Sequence, residues 1–326
     1  MDKTPLKLFK KLQHVGETTP YKIPSSPLMK KLGLGTGVAV YLMNGSSRKT
    51  KTTSSPWAIK KCLKNKTDKA YSQRLAAEAD ILRTLSHPNV VGFRAFTKAD
   101  DGRFNLAMEA CTSSLGNILE DRFGEAQGPL EVAKINTMGC DISKALNYLH
   151  NEAMLLHGDM KSFNILIKGD FAICKLCDFG VSLPLREDGL IDFEKKPDAE
   201  FIGTELWNAP EVFEEDSALI STKSEIFSFG LVFYECIALV PPHTLEMVGQ
   251  KALDFDETEE EVLDEEEEEE EPDYMAGTRP LFAVDMNLPE SYNDILHVFY
   301  ICTDEHPEKR PTAEQLEHIF MEIKNA

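Results

Sequence analysis

Side chains that could accept a proton and hold a metal ion occur at a fixed spacing near the middle of the chain. In the stretch HGDMKSFN, positions 157 to 164, Asp159 and Asn164 are five residues apart. Asp178 follows Asn164 by fourteen residues, in the tripeptide Asp178-Phe179-Gly180. A carboxylate can accept the proton of a hydroxyl group, and a second carboxylate with an amide oxygen suits a magnesium ion. The spacing predicts phosphoryl transfer, with Asp159 as proton acceptor and Asn164 and Asp178 as metal ligands.

Two lysines are candidates for neutralising phosphate charge. Lys161 lies two residues after Asp159. Lys60 ends the strand-like run WAIK, and Glu78 follows it by eighteen residues in a predicted helix, where it could hold Lys60 in an ion pair. Lys61 is the adjacent alternative, but side chains alternate along a strand, so Lys61 is expected on the opposite face. We therefore predict that Lys60 and Lys161 act together with Asp159 in catalysis.

A glycine cluster, GLGTGVAV, begins at Gly33 between strand-like runs. Because glycine has no side chain, such a loop can lie close to phosphate groups. The sequence departs from the pattern G-x-G-x-x-G-x-V, since Val38 replaces the third glycine and Gly37 lies one place earlier. The nucleotide-binding residues predicted here are Gly33, Leu34, Gly35, Thr36, Gly37 and Val40.

A small sheet-rich region and a larger helical region must position these groups. From Leu28 to about Met108, the strand-like runs VAVYLM, WAIK, VVGFRAF and FNLAME surround one predicted helix at 69–85. Apolar residues at helical spacing then predict helices at 131–152, 225–240, 295–302 and 313–323. We expect an α+β fold with a small lobe at 28–111, a larger lobe at 112–326 and a ligand cleft between them.

The charge of the chain is concentrated in one segment. The formal net charge is −20 over 326 residues, and 15 acidic residues with no basic one lie between positions 254 and 273. Self-repulsion predicts a disordered insertion there; the alternative is an electrostatic surface for a basic partner. Residues 1–27 are expected to be a flexible tail. No basic stripe of comparable density is present, so nucleic-acid binding is not predicted.

Cysteine usage and hydropathy indicate the compartment. Seven scattered cysteines do not form a disulfide framework, and no signal peptide precedes them, so a reducing compartment is expected: the cytoplasm, the nucleus or both. The most apolar run, at 226–240, is too short for a bilayer span and contains Glu235. It is expected to be a buried helix, and no membrane association is predicted.

Together these motifs resemble the eukaryotic protein kinase family, over about residues 30 to 323. The sequence Gly203-Thr204 followed by Ala209-Pro210-Glu211 is similar to the end of a kinase activation segment, and Arg310 lies where a guanidinium would pair with Glu211. Lys161 is similar to the lysine of serine/threonine kinases. The resemblance implies a two-lobed protein kinase fold, with a small β-rich N-lobe and a larger helical C-lobe, and transfer of the ATP γ-phosphate to protein Ser or Thr; whether Tyr is also a target stays open.

The resemblance also implies ATP and Mg²⁺ as cofactors and assigns an adenine pocket. Met108 matches the residue at the back of that pocket, and the backbone from Glu109 to Cys111 matches the hinge that binds adenine. Glu225 stands where kinases generally have an aspartate that braces the catalytic loop, so a longer carboxylate is expected to do this. The other residues predicted to line the nucleotide site are Ala58, Lys60 and Glu78.

Gly158 stands where most protein kinases have arginine, and the motif HGD is itself similar to that of small-molecule kinases. The missing arginine would pair with a phosphate on the activation segment. Between Asp178 and Glu211 the only hydroxyl residues are Ser182 and Thr204, so we predict activity that does not depend on phosphorylating the middle of this segment.

Two other classes of protein remain as alternatives to an active protein kinase. A pseudokinase scaffold is opposed by retention of the residues that such scaffolds lose, here Lys60, Asp159 and Asp178. A small-molecule kinase is less favoured, because such enzymes lack the peptide-docking segment that ends at Glu211.

Within the family the chain resembles mitogen-activated-protein-kinase-kinase-like enzymes linked to mitosis, which implies MAP kinases as protein substrates. Homodimerisation and an upstream proline-directed kinase acting on Thr4 are further expectations. Thr19-Pro20 and Ser26-Pro27 are dipeptides of the same kind as Thr4-Pro5 and are further candidates for this modification. A PDZ ligand needs a hydroxyl residue third from its end, where this chain has Lys324, so PDZ binding is not predicted.

Overall fold

The computed structural model describes residues 18–19, 30–35, 38–43, 56–62, 69–99, 102–214, 219–247, 275–283 and 286–325. The expected acidic insertion at 254–273 lies outside these residues, as do Thr36, Gly37 and all of the expected N-terminal tail except Thr18 and Thr19. Within the described part of the chain, we find no helix that combines the length and apolar character needed to cross a membrane.

The smaller lobe is built on a five-stranded antiparallel sheet with the spatial order β1-β2-β3-β5-β4. The strands predicted over VAVYLM, WAIK and FNLAME are confirmed. The sequence pattern does not predict β1, because Gly33 and Gly35 weaken a strand signal, and β4 begins later than the run VVGFRAF suggests. The bounds are β1 Lys30–Gly35, β2 Val38–Met43, β3 Trp57–Cys62, β4 Phe93–Lys98 and β5 Phe104–Glu109.

Strand register places several predicted nucleotide-binding residues on one face of this sheet. Val40 lies opposite Lys60, and Ala58 lies opposite Met108. Directly opposed residues share a face, as do residues two apart on one strand. Val40, Ala58, Lys60 and Met108 therefore point to the same side, and Lys61 points to the other, where its Nζ lies 5.7 Å from the centre of the Tyr41 ring.

Helix α1 (Lys69–Thr84) packs against the sheet, close to its predicted bounds. Leu75, Ala79 and Leu82 are buried at helical spacing and join the main hydrophobic core. Glu78 lies among them and is 2% exposed. The apolar stripe thus fixes the rotation of α1, and this rotation turns Glu78 inward toward β3.

The larger lobe is mainly helical, as predicted. Among the described residues, its longer helices are α2 Leu115–Gly124, α3 Val132–Tyr148, α4 Thr222–Ala238, α5 Asn293–Cys302 and α6 Ala313–Asn325. The pattern does not predict α2, which begins at an N-cap where the Ser114 hydroxyl accepts from the N–H of Asn117. The apolar helix α4 is buried at every position from Ser224 to Ala238, which confirms the expectation of a buried helix.

Short strands and turns connect these helices around the site. After α3, a π-helical turn (Leu149–Ala153) ends at Met154 in the left-handed conformation, φ 53°. The short strands are β6 Ser113–Ser114, β7 Leu155–Leu156, β8 Ile165–Lys168, β9 Ile173–Leu176 and β10 Leu183–Pro184. β8 and β9 form a hairpin paired to β6, and β7 pairs with β10. This arrangement brings the stretch after β7 and the stretch after β9 together.

Candidate active site

The stretch HGDMKSFN forms a loop that follows β7 and ends in a 3₁₀ turn at Ser162–Asn164. Asp159 lies at its centre, with its side chain 17% exposed. Asn164 Nδ2 donates to the carbonyl oxygen of Asp159 at 2.6 Å and to its carboxylate Oδ2 at 2.9 Å. The predicted metal ligand therefore also fixes the orientation of the predicted proton acceptor.

Asp159 is also bonded to Lys161 and Thr204. Lys161 Nζ lies 2.9 Å from Asp159 Oδ2 and donates to the Thr204 hydroxyl at 2.7 Å. Thr204 in turn donates its hydroxyl proton to Asp159 Oδ1 at 2.5 Å. The loop and the end of the activation segment thus meet through three side chains. The sequence marks Thr204 only as part of a motif; its contact with Asp159 follows from the fold.

Two buried glutamates of α4 hold the loop on either side of Asp159. Glu225 Oε1 accepts from the N–H of Gly158 at 2.8 Å, and its Oε2 lies 2.6 Å from His150 Nε2. This confirms that the longer carboxylate braces the loop. Burial alone would raise the pKa of Glu225, but the bonds from His150 and the Gly158 N–H outweigh it, and the pKa lies below its ordinary value.

The second glutamate, Glu235, is not identified by the sequence motifs. It accepts from the Ser162 hydroxyl at 2.5 Å, the Ser162 N–H at 3.2 Å and Trp207 Nε1 at 2.9 Å. Burial raises its pKa to about 7, because these bonds only partly replace the lost hydration. The sequence did offer one indication, because Glu235 is an ionisable residue within an otherwise apolar run. Such a residue is rarely buried without hydrogen-bond partners.

Gly158 adopts a left-handed conformation, with φ +81°. A Cβ at this position would lie 3.1 Å from the carbonyl oxygen of Val181. Glycine in place of the usual arginine therefore has two effects. It removes a charged side chain, and it allows a backbone conformation that other residues rarely adopt.

The β8–β9 hairpin brings the two predicted metal ligands to the same end. Asn164 immediately precedes β8, Asp178 lies two residues after β9, and the N–H of Cys177 donates to the carbonyl oxygen of Asn164 at 3.0 Å. His157 Nε2 lies 2.7 Å from the carbonyl oxygen of Cys177 and so connects the loop to the end of β9. Asp178 has φ +64°, an uncommon conformation for a non-glycine residue.

Lys60 joins the two lobes. Its Nζ lies 2.8 Å from Glu78 Oε2 and 2.8 Å from Asp178 Oδ1, so the predicted pair with Glu78 is formed. Burial opposes the charge on Lys60, but the two carboxylates outweigh it and hold the pKa of Lys60 above its usual value. Partial burial would raise the pKa of Asp178, but the same lysine holds it below its usual value. Lys60 and Asp178 are both charged at neutral pH.

The predicted adenine-binding stretch lies between β5 and β6. Met108 is buried at the end of β5, and Cys111 is half-buried, with its thiol pKa raised by burial to about 11. The N–H of Glu109 donates to the carbonyl oxygen of Gly92 at 2.8 Å, so this N–H is not available to a nucleotide. The Glu109 carboxylate lies 2.7 Å from Lys168 and 3.1 Å from Lys175, so this side chain ties the stretch to the β8–β9 hairpin.

The glycine cluster is only partly described. Gly33, Leu34 and Gly35 belong to β1, and Val40 lies on β2 opposite Lys60, whereas Thr36 and Gly37 lie outside the described residues. The nucleotide-binding roles predicted for this cluster stay predictions.

The activation segment is anchored at its end by a buried ion pair. Arg310 Nη1 donates to Glu211 Oε1 at 2.6 Å and Nη2 to Oε2 at 2.9 Å, which is the two-bond pairing predicted from sequence. Ser224 donates to the same Oε1 at 2.7 Å, and the Arg310 guanidinium lies 4.9 Å from the centre of the Phe227 ring.

A second apolar cluster holds the middle of the activation segment, and we call it the segment cluster: Leu156, Leu183, Leu185, Ile191 and Ile220. Backbone hydrogen bonds also hold the segment. The N–H of Leu185 donates to the carbonyl oxygen of Met154 at 2.9 Å, and the N–H of Thr222 donates to the carbonyl oxygen of Gly189 at 3.0 Å. These apolar and backbone contacts hold the segment against the larger lobe.

The donor set at the hairpin end fits a hard divalent cation. The Asp178 side chain is 42% exposed, and the Asn164 amide nitrogen is used on Asp159, so its oxygen is the atom left for a cation. A magnesium ion is commonly held by one or two such oxygens and takes its remaining ligands from phosphates and water.

A two-lobed fold with paired Lys60 and Glu78, an Asp159–Lys161–Asn164 loop and a bidentate Arg310–Glu211 pair defines a protein kinase. The chain belongs to this family: the protein kinase domain model matches residues 27–321. A kinase domain of this kind uses ATP and a divalent cation and acts on protein substrates. The chain is an ATP-dependent protein serine/threonine kinase.

Among individual proteins, the chain is 43% identical over 320 residues to human lymphokine-activated killer T-cell-originated protein kinase, covering 96% of this chain and 95% of the relative. It is 33% identical over 189 residues to the probable serine/threonine-protein kinase drkC of Dictyostelium discoideum, covering 57% of this chain and 24% of the relative. It is 28% identical over 292 residues to mitogen-activated protein kinase kinase kinase 2 of Arabidopsis thaliana, covering 89% and 40% respectively.

Proposed function

We propose that this kinase transfers the γ-phosphate of magnesium-bound ATP to a serine or threonine hydroxyl, with Asp159 as the group that orients the hydroxyl and accepts its proton. The observation that carries the proposal is the 2.5 Å bond from the Thr204 hydroxyl to Asp159 Oδ1. An aliphatic hydroxyl fits against this carboxylate and donates to it. A substrate hydroxyl presented beside Asp159 can make the same bond before transfer.

The surrounding residues have complementary roles. Asn164 holds Asp159 through two bonds, which limits its rotation. Lys161, bonded to both Asp159 and Thr204, offsets negative charge near the transferring group. Lys60, fixed by Glu78, holds the phosphates of the nucleotide. Asn164 and Asp178 would hold magnesium, which when bound neutralises charge that develops on the phosphates.

The protein substrates proposed for this enzyme are MAP kinases, and its setting is a signalling cascade active in dividing cells. Support comes from the similarity to the human and Arabidopsis relatives, whose names describe a T-cell-originated kinase and a MAP kinase kinase kinase. The cytoplasm and nucleus are the proposed compartments, since the cysteines of the described residues are free thiols. Homodimerisation and modification of Thr4 by a proline-directed kinase stay predictions.

The decisive experiment measures phosphate transfer from ATP to three classes of acceptor: catalytically inactive MAP kinases, a basic protein such as histone, and amino alcohols. Asp159→Ala serves as the matched control, with nucleotide binding measured separately for both proteins. We expect transfer to protein serine or threonine, reduced at least about 100-fold in the variant, which still binds nucleotide. Preference for amino alcohols, or equal transfer by the variant, would contradict the proposal.

A further inference from the structure

Phe163 is an exposed aromatic residue of the loop that carries Asp159. It occupies the middle of the 3₁₀ turn that ends this loop, and its two neighbours in the turn are buried. The Ser162 hydroxyl donates to Glu235 at 2.5 Å, and Asn164 Nδ2 donates to the Asp159 carboxylate at 2.9 Å. Phe163 is 36% exposed, although its ring is large and apolar. The turn therefore holds an aromatic ring at the surface, close to the predicted proton acceptor.

The ring of Phe163 is seated on a glycine. Gly116 lies in the first turn of α2, and a Cβ at this position would be 2.7 Å from two ring carbons and 2.9 Å from a third. Carbon atoms this close repel one another, since their favourable separation is about 3.5–4.0 Å. Any other residue at position 116 would therefore displace the ring. The glycine and the ring fit each other, and this packing fixes the ring while part of it stays open to solvent.

The Phe163 ring is near enough to the reaction centre to touch a protein substrate. Four residues of chain span at most about 14 Å, so a substrate residue on the ring lies within about four positions of the hydroxyl that meets Asp159. The activation segment reaches Asp159 at Oδ1 through Thr204, whereas the turn of Phe163 reaches it at Oδ2 through Asn164. A peptide that presents its hydroxyl to Asp159 thus has the activation segment and Phe163 as neighbours.

We propose that Phe163, seated on Gly116, forms a specificity subsite that binds one apolar side chain of the protein substrate near the phosphorylated residue. This inference rests on the role proposed for Asp159. An apolar side chain that lies on the ring removes apolar surface of both partners from water, which is favourable. The polar side chains on either side of Phe163 are bonded inward, so the ring is the surface that this turn offers to a substrate.

A nearby carboxylate defines a competing outcome. Glu120 lies one turn after Gly116 on α2, so both residues are on the same face of the helix, and Glu120 is exposed. If this carboxylate bound the substrate in place of the ring, the enzyme would select lysine or arginine near the acceptor.

The nucleotide is a second competitor for the ring. Helix α2 begins four residues after Cys111, in the stretch predicted to bind adenine. If Phe163 bound the nucleotide, its replacement would raise the KM for ATP and would leave the selection among peptides unchanged.

The test compares peptides that contain one serine and differ at a single other position. Leucine, alanine, aspartate or lysine is placed at each of about four positions on either side of the serine, the range that the loop geometry allows. The value of kcat/KM is measured for each peptide at saturating ATP. We expect the parental enzyme to prefer leucine to alanine by about tenfold at one position, as for one apolar side chain in a pocket.

Three variants change the subsite in different ways. Phe163→Ser removes the ring, so kcat/KM for the leucine peptide should fall to within about twofold of that for the alanine peptide. Phe163→Glu should replace the leucine preference by a lysine preference at the same position. Gly116→Ala keeps the ring but displaces it, and should also lower the leucine preference. Because alanine favours a helix more than glycine does, misfolding is not the expected cause.

Phe123→Ser is the matched control. Phe123 is another exposed aromatic residue of α2, 59% exposed, and it lies about 10 Å further along the helix than Gly116. Its replacement should keep the leucine preference. Equal loss in Phe123→Ser and Phe163→Ser would show that exposed aromatic surface in general causes the preference, and would contradict the subsite.

The proposal is wrong if the parental enzyme has no leucine preference at these positions, or if Phe163→Ser keeps it. A lysine preference in the parental enzyme would assign the contact to Glu120 and would also overturn the proposal. Asp159→Ala separates this inference from the proposed function. Transfer retained by Asp159→Ala would contradict the role of Asp159, whereas transfer that needs Asp159 but shows no leucine preference would contradict the subsite alone.

Discussion

The backbone N–H of Gly158 donates a 2.8 Å hydrogen bond to Oε1 of Glu225. This bond fixes the residue in front of Asp159 from the buried helix α4, and the same carboxylate holds His150 at 2.6 Å through its other oxygen. The position of the proton acceptor therefore depends on the length of a side chain that is remote from the substrate.

Shortening Glu225 should lower catalysis more than removing its charge. In Glu225→Asp the carboxylate loses one methylene and cannot reach both Gly158 and His150, so kcat should fall by about tenfold to 100-fold. Glu225→Gln keeps the length and is the matched control, with a smaller loss. Steady-state kinetics with circular dichroism as a folding check would measure this, and an Asp variant with the parental kcat would exclude the bracing role.

Adding a side chain at Gly158 should destabilise the fold. Gly158→Ala places a Cβ on a residue with φ +81° and 3.1 Å from the Val181 carbonyl oxygen, which should cost about 1–2 kcal/mol. Gly124→Ala is the control, because a Cβ there meets nothing within 4 Å. Urea denaturation measures both; equal stability of Gly158→Ala and the parent would show that the backbone relaxes.

Loosening the segment cluster should reduce activity without any change in phosphorylation. Ile191→Ala removes a side chain that is 2% exposed and should destabilise its packing by about 2–5 kcal/mol. We expect faster hydrogen exchange in the activation segment and a lower kcat. Glu187→Ala, at an exposed position of the same segment, should change neither. Parental activity in Ile191→Ala would mean that other contacts order the segment.

Replacing Arg310 should lower the free energy of unfolding much more than replacing an exposed arginine. Arg310→Met leaves Glu211 as an unpaired buried charge, with an expected cost of about 3–5 kcal/mol. Arg186→Met breaks the exposed pair with Asp188 and should have no measurable effect on stability. Chemical denaturation of the two variants gives their midpoints. Similar midpoints for Arg310→Met and Arg186→Met would contradict the anchoring role of Arg310.

Glu235 should make stability fall as the pH rises. Its pKa is about 7 in the folded protein and about 4.5 when unfolded, so the folded state prefers the protonated form. The free energy of unfolding should be highest below pH 4.5, where Glu235 is protonated in both states. It should fall as the pH rises from 4.5 to 7, by about 3 kcal/mol in total. Glu235→Gln cannot titrate, so its stability should depend less on pH across this window. Identical pH profiles of unfolding would refute this.

Local sequence was sufficient for much of the site. The helix at 69–84 and the buried helix α4 follow from apolar spacing, because burial of one stripe or of a whole surface leaves a pattern in the sequence. Asp159, Asn164 and Asp178 could be selected because the loop and hairpin that contain them are short. The pairing of Glu211 with Arg310 could be anticipated only through resemblance, since the two residues are far apart in the chain.

Tertiary structure alone decided the contacts that depend on how separate elements approach one another. Glu235 meets Ser162 and Trp207 because α4 passes beneath the loop, and Thr204 reaches Asp159 because the activation segment folds back. The hydrogen bonds between Thr19 and the backbone of Phe96 likewise depend on β4 lying at the end of the sheet order. Sequence spacing determined the chemistry available to this protein, whereas packing over long chain separations determined which polar groups became partners.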